Sequence, residues 1–240
     1  MKKFLYILLA LSITAGLSSC SPEDKPANEP STENPDTPDT PDKPDTPSPD
    51  PGPTPDPTPD PKPSGKTLIV YYSYTNNVHT IVNDLRKQIE ADVVRVQPAE
   101  KGLDYAANNY AIGSAQIQAI RNNPGSASSY PKIDPVEIEF GQYSTIIVGA
   151  PLWWSNMAAP MQTFLFNHGA EMAGKRIGLI VSSSSSGISG VESDAKRLIP
   201  NGDFLTPSLW IRSSQTSSCH SMIAQWLTDT GYAPAGQSAN

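Results

Sequence analysis

Residues 66–80, KTLIVYYSYTNNVHT, decide the fold. The apolar run LIVYY (68–72) has the length of a buried strand, and a polar turn, SYTNN (73–77), follows it. Val78, Ile81, Val82, Leu85 and Ile89 then fall at the spacing that gives a helix one apolar face. A strand, a hydroxyl-rich turn and a helix build an anion site in an α/β protein. The first turn of a helix carries N–H groups without partners, and its dipole favours negative charge. Ser73 and Thr75 add hydroxyls, and Asn76 and Asn77 add amides. No Lys or Arg lies between Lys66 and Arg86, so the expectation is a phosphate held by neutral donors. Ser, Thr and Asn are also ordinary helix caps, and the turn alone does not decide between the two readings.

Working outward, the 240-residue chain divides into three parts. Residues 1–19 read as a secretory leader: Lys2 and Lys3 precede an apolar stretch over 4–17 that is short for a membrane span. The stretch ends in LSSC, which resembles a bacterial lipobox, and this implies lipidation of Cys20. Ser21 after that Cys resembles an outer-membrane address, and Glu23-Asp24 resembles a surface-export signal. Residues 20–65 are a Pro, Asp and Thr-rich tether with almost nothing apolar to bury. Dense Pro favours polyproline II, which gives such a tether a reach on the order of 100 Å or more. Residues 66–240 suit one domain.

Charge follows the same division. The tether's eleven acids and three lysines contribute -8 and the leader's two lysines +2, so the overall -7 leaves -1 for residues 66–240. The domain is near neutral, with no basic patch to suggest nucleic acid. With Cys20 lipidated, Cys219 has no partner for an internal disulfide. His79, His168 and His220 share no metal-ligand spacing. A nucleophile elbow is missing as well, and Cys219 beside His220 reads as a structural thiol.

Within the domain, strand-like and helix-like runs alternate. A short strand is expected over 93–96 and a helix with a weak apolar face (Tyr110, Ile117, Ile120) over 105–121. A third strand is expected over 144–150, broken by Pro151, and a helix over 160–168. A fourth strand follows over 176–181, then a helix from Val191 to Pro200. The fifth strand is expected over 204–211, at an edge because Pro207 cannot donate to a ladder, and the last helix over 218–228. Alternation of this kind makes a parallel sheet covered on both faces. Ligands bind such sheets past the carboxyl ends of the strands, where strand order reverses. Three loops leave strand ends there: 73–78, 151–157 and 182–190.

The second loop carries adjacent Trp153 and Trp154, of which one suits the core and the other can offer a flat face to a planar ligand. The third, SSSSSGISG (182–190), is small and neutral, and its amides can approach a ring. In order, SYTNNV (73–78), GAPLWWSNMAAPMQTFL (149–165) and the 182–190 loop resemble the phosphate loop, the Trp-Trp loop and the ring-contacting loop of flavodoxins. The resemblance is to a flavodoxin-like branch common among bacterial lipoproteins, and it covers 66–232. It implies a doubly wound five-stranded parallel sheet, order 2-1-3-4-5, with helices on both faces. It also implies FMN as cofactor, with phosphate at Ser73, Thr75, Asn76, Asn77 and Val78. The ring is expected at Pro151, Leu152, Trp153 and Trp154, and at Ser182, Ser183, Ser184, Ser185, Ser186 and Gly187. Asn76 stands where the family has Gly, and Val78 where it has Thr.

The expected activity is electron transfer or an FMN-dependent reduction of a quinone- or nitro-type acceptor. The expected setting is an outer-membrane lipoprotein held through Cys20, with a redox partner or small-molecule acceptor that the sequence does not name. The alternative is a flavin-free surface module on the same fold, binding a small ligand or a partner protein.

Overall fold

A computed structural model describes residues 65–232. The leader, Cys20 and all of the tether except Gly65 lie outside the described residues. Among the described residues no helix is long and apolar enough to cross a membrane.

Among the described residues seven strands form one sheet. The main order is β2 (Asp92–Arg95), β1 (Lys66–Tyr71), β3 (Tyr143–Trp153), β5 (Arg176–Ser183), then β6 (Asp203–Phe204), all parallel. β7 (Leu209–Arg212) also pairs with β5, in parallel and further along it. The edge strand expected over 204–211 is thus two segments beside β5. Pro207 lacks the donor a continuous ladder needs, and its carbonyl instead accepts from Trp226 Nε1 at 2.8 Å. Strand order reverses between β1 and β3, as in the expected 2-1-3-4-5 arrangement.

Alternate residues of the sheet feed two cores. Leu68, Val70, Ile146, Val148 and Leu179 face α2 (Ala107–Asn122), α3 (Ala159–His168) and α4 (Ser189–Leu198), through Ile117, Phe164 and Val191. Ile69, Tyr71, Ile147 and Ile180 face α1 (Asn77–Gln88) and α5 (His220–Asp229), through Ile81, Leu85, Ile223 and Trp226. The apolar positions read as the inner face of α1 are buried as expected.

Two local departures matter for the site. Pro151 does not break β3. It pairs with Ser182 of β5, and the strand runs on to Trp153. There it turns back as a hairpin with β4 (Asn156–Met157), pairing Trp153 with Asn156. The two turn residues, Trp154 and Ser155, have φ of 46° and 64°. A two-residue hairpin turn wants positive φ at both centres, but Asn-Gly is its usual sequence. The second departure is in α2, where Asn108, Asn109 and Tyr110 take φ of 49°, 55° and 62°. That left-handed run throws Tyr110 off the apolar face expected for it, leaving it 52% exposed.

Candidate functional site

Register brings the three loops together. Tyr71 pairs with Gly149, and Pro151 with Ser182, so β1, β3 and β5 end side by side at one edge.

At the end of β1 the chain turns through Asn76, in the left-handed region at φ 63°, into α1. Asn pays less than most residues for this conformation, which is how it fills a Gly position. Ser73 Oγ accepts from the His79 N–H at 3.2 Å, and Thr75 Oγ1 accepts from Asn77 Nδ2 at 3.2 Å. Helix geometry leaves the first-turn N–H groups of Asn77 and Val78 without intrahelical acceptors, and no acidic residue sits in that turn. This is a cradle for an anion. The Val78 side chain points into the core at 1% exposure, so it gives no hydroxyl to that cradle.

The expectation of a wholly neutral loop is corrected. Arg95 ends β2 in register with Tyr71. Its Nη2 donates to Ser73 O at 2.9 Å and to Asn76 Oδ1 at 3.2 Å, and its guanidinium lies 5.8 Å from the Tyr71 ring centroid. A cation separated from the turn by 17 residues and more in sequence is tied to the turn itself.

Beside this turn a cleft of about 230 Å³ is lined by Tyr74, Thr75, Tyr105, Tyr110, Gly113, Leu152, Trp153 and Trp154. Trp153 is half-buried, 4.8 Å from Tyr105 and edge-on to Tyr72, Tyr74 and Trp154. Trp154 is 41% exposed. One Trp packs and one is presented, as the pair of adjacent Trp suggested. Burial raises the hydroxyl pKa of Tyr72, Tyr74 and Tyr105, and Asp104 adds to the rise at Tyr74. All three stay protonated at neutral pH, and no charged side chain lines the cleft.

The Trp hairpin is held from both sides. Arg121 donates to the Trp154 carbonyl and, at 2.8 Å, to Asn156 Oδ1. Asp194, at 6% exposure, accepts from Asn156 Nδ2 and the Met157 N–H, both at 2.9 Å, and pairs with Arg197 at 2.9 Å.

No residue of the third loop, including Ser182 to Gly187 where the ring was expected, lines the cleft. Ser182 lies beside Pro151, buried, with its Oγ unpartnered. Ser183 Oγ accepts from Trp210 Nε1 and donates to Ser186 O, each at 2.8 Å. Ser184, Ser185, Ser186 and Gly187 are exposed, and the cleft is lined without them. The loop touches the hairpin instead through Gly190, where a β-carbon would fall 1.8 Å from Ser155 O.

No cluster of metal-ligating side chains exists among the described residues. His79, His168 and His220 bond to Tyr71, Glu171 and Asp84 respectively. Cys219 is buried at the start of α5, and burial pushes its thiol pKa up.

Arg95, Arg121 and Asp194 were not legible as site residues from their own sequence surroundings, and Tyr74 was legible only as part of the 73–78 loop. Of the first three, only the signal at Arg95 was recoverable: it ends the strand that a 2-1-3 order places beside the phosphate turn.

The residues present fit a phosphorylated planar ligand. The anion cradle and the aromatic cleft adjoin through Tyr74 and Thr75, and the unpartnered Ser182 Oγ stands at the end of β5.

A family model described as flavodoxin matches residues 66–229. Among solved structures, a candidate flavoprotein from Bacteroides eggerthii DSM 20697 superposes with a TM-score of 0.57 at 20% identity, covering 71% of this chain and 100% of that one. A flavoprotein in complex with FMN from Lactobacillus acidophilus NCFM superposes with a TM-score of 0.51 at 19% identity, covering 66% and 99%. These likenesses show the fold. No curated protein matches the sequence.

Proposed function

Because the chain belongs to the flavodoxin family, we propose that it binds FMN at the edge where β1, β3 and β5 end and acts as an FMN-dependent oxidoreductase. The observation that carries this reading is the continuity of the site: Thr75 of the anion turn lines the same cleft as Trp153 and Trp154. FMN bound by the L. acidophilus protein, which has the same fold, supports it.

When bound, FMN supplies electron transfer; the protein supplies place and surroundings. The free N–H groups of Asn77 and Val78, with the Ser73 and Thr75 hydroxyls, would hold the phosphate. Trp153 and Trp154 would offer the aromatic wall. Tyr74 and Tyr105, both protonated, close the cleft without adding charge. A neutral aromatic cleft suits an uncharged planar acceptor, of quinone or nitro type, better than a charged one.

The alternative, a flavin-free module, draws on Asn76 and Val78. The left-handed turn at Asn76 weakens it, because Asn76 takes a conformation that Gly adopts without strain.

The sequence also supports a lipid anchor on Cys20, with the Pro-rich tether holding the domain away from an outer membrane. Labelling with a radioactive fatty acid tests this: label is expected on the intact chain and lost in Cys20→Ala. For the cofactor, the test is extraction. Protein purified from cells and denatured is expected to release FMN, identified by chromatography; release of no flavin, together with failure to take up added FMN, contradicts the proposal.

A further inference from the structure

We infer that Arg95 is the positioning residue that sets the phosphate turn and makes the site select FMN over flavins lacking a phosphate. This rests on the FMN reading above and goes beyond it.

Three contacts tie one side chain to the turn and to the strand end before it. Nη2 donates to the Ser73 carbonyl at 2.9 Å and to the Asn76 side-chain oxygen at 3.2 Å, and the guanidinium plane lies over Tyr71. The Asn76 bond matters most. A non-Gly residue in the left-handed region costs roughly 1–2 kcal/mol. An Nη2 donor shared between Asn76 Oδ1 and Ser73 O holds it there before any ligand arrives. The grip on Ser73 O fixes the other end of the same turn. Between these two anchors lie Tyr74 and Thr75, and the anion-facing amides of Asn77 and Val78 follow directly.

The charge is also unspent. Ion pairs among the described residues engage Lys66, Lys101, His168, Arg197 and His220, and none engages Arg95. Its Nε is buried without a partner. Glu100 lines the same recess but forms no ion pair with it. A positive charge beside the turn without a carboxylate partner favours a dianion there over a neutral hydroxyl. The sequence departures then make sense together: Asn76 replaces Gly because Arg95 can hold it, and the hydroxyl lost at Val78 is offset by a nearby cation.

The experiment is a titration of the apoprotein with FMN and with riboflavin, read by quenching of flavin fluorescence. It uses the full chain and Arg95→Met, Arg95→Lys, Asn76→Gly and the double variant Asn76→Gly/Arg95→Met. Arg95→Met is expected to weaken FMN about tenfold or more and riboflavin less than about twofold, as loss of a charge-assisted contact implies. Arg95→Lys keeps the charge but not the guanidinium over Tyr71, and should fall between. In the Asn76→Gly background, where the turn needs no grip, Arg95→Met should cost clearly less. Thermal unfolding checks that each variant is folded; Arg95→Lys serves if Arg95→Met is not.

Equal losses for FMN and riboflavin, or none for either, overturn the inference while wild-type binding leaves the FMN reading standing. An undiminished cost in the Asn76→Gly background overturns the positioning role. Wild type that ignores FMN overturns both.

Discussion

Gly113 of α2 faces the edge of the Trp154 indole so closely that a β-carbon there would lie 3.0 Å from the ring. The missing side chain lets the helix pack on the hairpin while Trp154 keeps its place at the cleft. In a helix interior Ala is favoured over Gly by about 1 kcal/mol. Gly113→Ala is therefore expected to leave thermal stability near wild type while pushing the indole aside and weakening flavin binding several-fold. Equilibrium titration and thermal unfolding on the same samples check it. Unchanged flavin affinity would show that Trp154 is not part of the wall.

Asp194 ties α4 to the Trp hairpin. Removing its carboxylate in Asp194→Ala leaves the buried Met157 N–H without an acceptor and takes one partner from Arg197, which keeps Gln162 Oε1 and Tyr130 Oη. Leaving a buried N–H without its acceptor costs about 1–3 kcal/mol, and the Arg197 side chain, 35% exposed, is not left as a buried unpaired charge. Denaturant unfolding should show a loss of that order in Asp194→Ala and a smaller one in Asp194→Asn, which keeps an acceptor.

Cys219 gives a pH dependence with a definite sign. Burial raises its pKa in the folded state, with Asp84 adding to the rise. The folded form thus holds the thiol proton more tightly than the unfolded chain. Its contribution to stability is complete below the ordinary thiol pKa of about 8.5 and falls as pH climbs above that value. In Cys219→Ala this alkaline loss should shrink. A disulfide-exchange reagent should label wild-type Cys219 only slowly in native protein and rapidly after unfolding. Fast native labelling would mean an accessible, reactive thiol.

Much of this architecture can be read along the chain, for a physical reason. Strands buried on both faces are continuous apolar runs, and 68–72, 144–150 and 176–181 have that signature. The two Trp, the anion turn and the serine loop each follow such a run, so their arrival at one edge follows from the topology. What escaped depends on long-range pairing or on unusual backbone. The Trp154-Ser155 hairpin carries no Asn-Gly signal, since Arg121 and Asp194 hold it from elsewhere in the fold. The left-handed run at 108–110 looks helical by composition. Pro207 was read as an edge marker, but it divides the edge into β6 and β7. Arg95 belongs to the phosphate turn only through the register of β1 with β2.

The surroundings of the ring predict its redox behaviour. Residues 151–157 and 182–190 contain no charged side chain. One carboxylate about 4 Å from a reduced ring would cost about 4 kcal/mol at an effective dielectric of 20. For a two-electron couple that is on the order of 90 mV. With no such group lining the cleft, the two-electron potential of bound FMN should stay within about that range of free FMN. Potentiometric titration reads it. A strongly depressed potential would favour a low-potential electron carrier over a reductase.

The central claim is that the edge formed by 73–78 and the Trp hairpin binds FMN. The most direct measurement is fluorescence titration of the apoprotein with FMN, run beside Trp154→Ala. Trp154 is exposed enough that its loss should not unfold the protein. Saturable binding at one FMN per chain, with affinity reduced about tenfold in Trp154→Ala, is the expected result, given the usual worth of a stacked aromatic pair. No saturation at high micromolar FMN, or binding indifferent to Trp154, would contradict it.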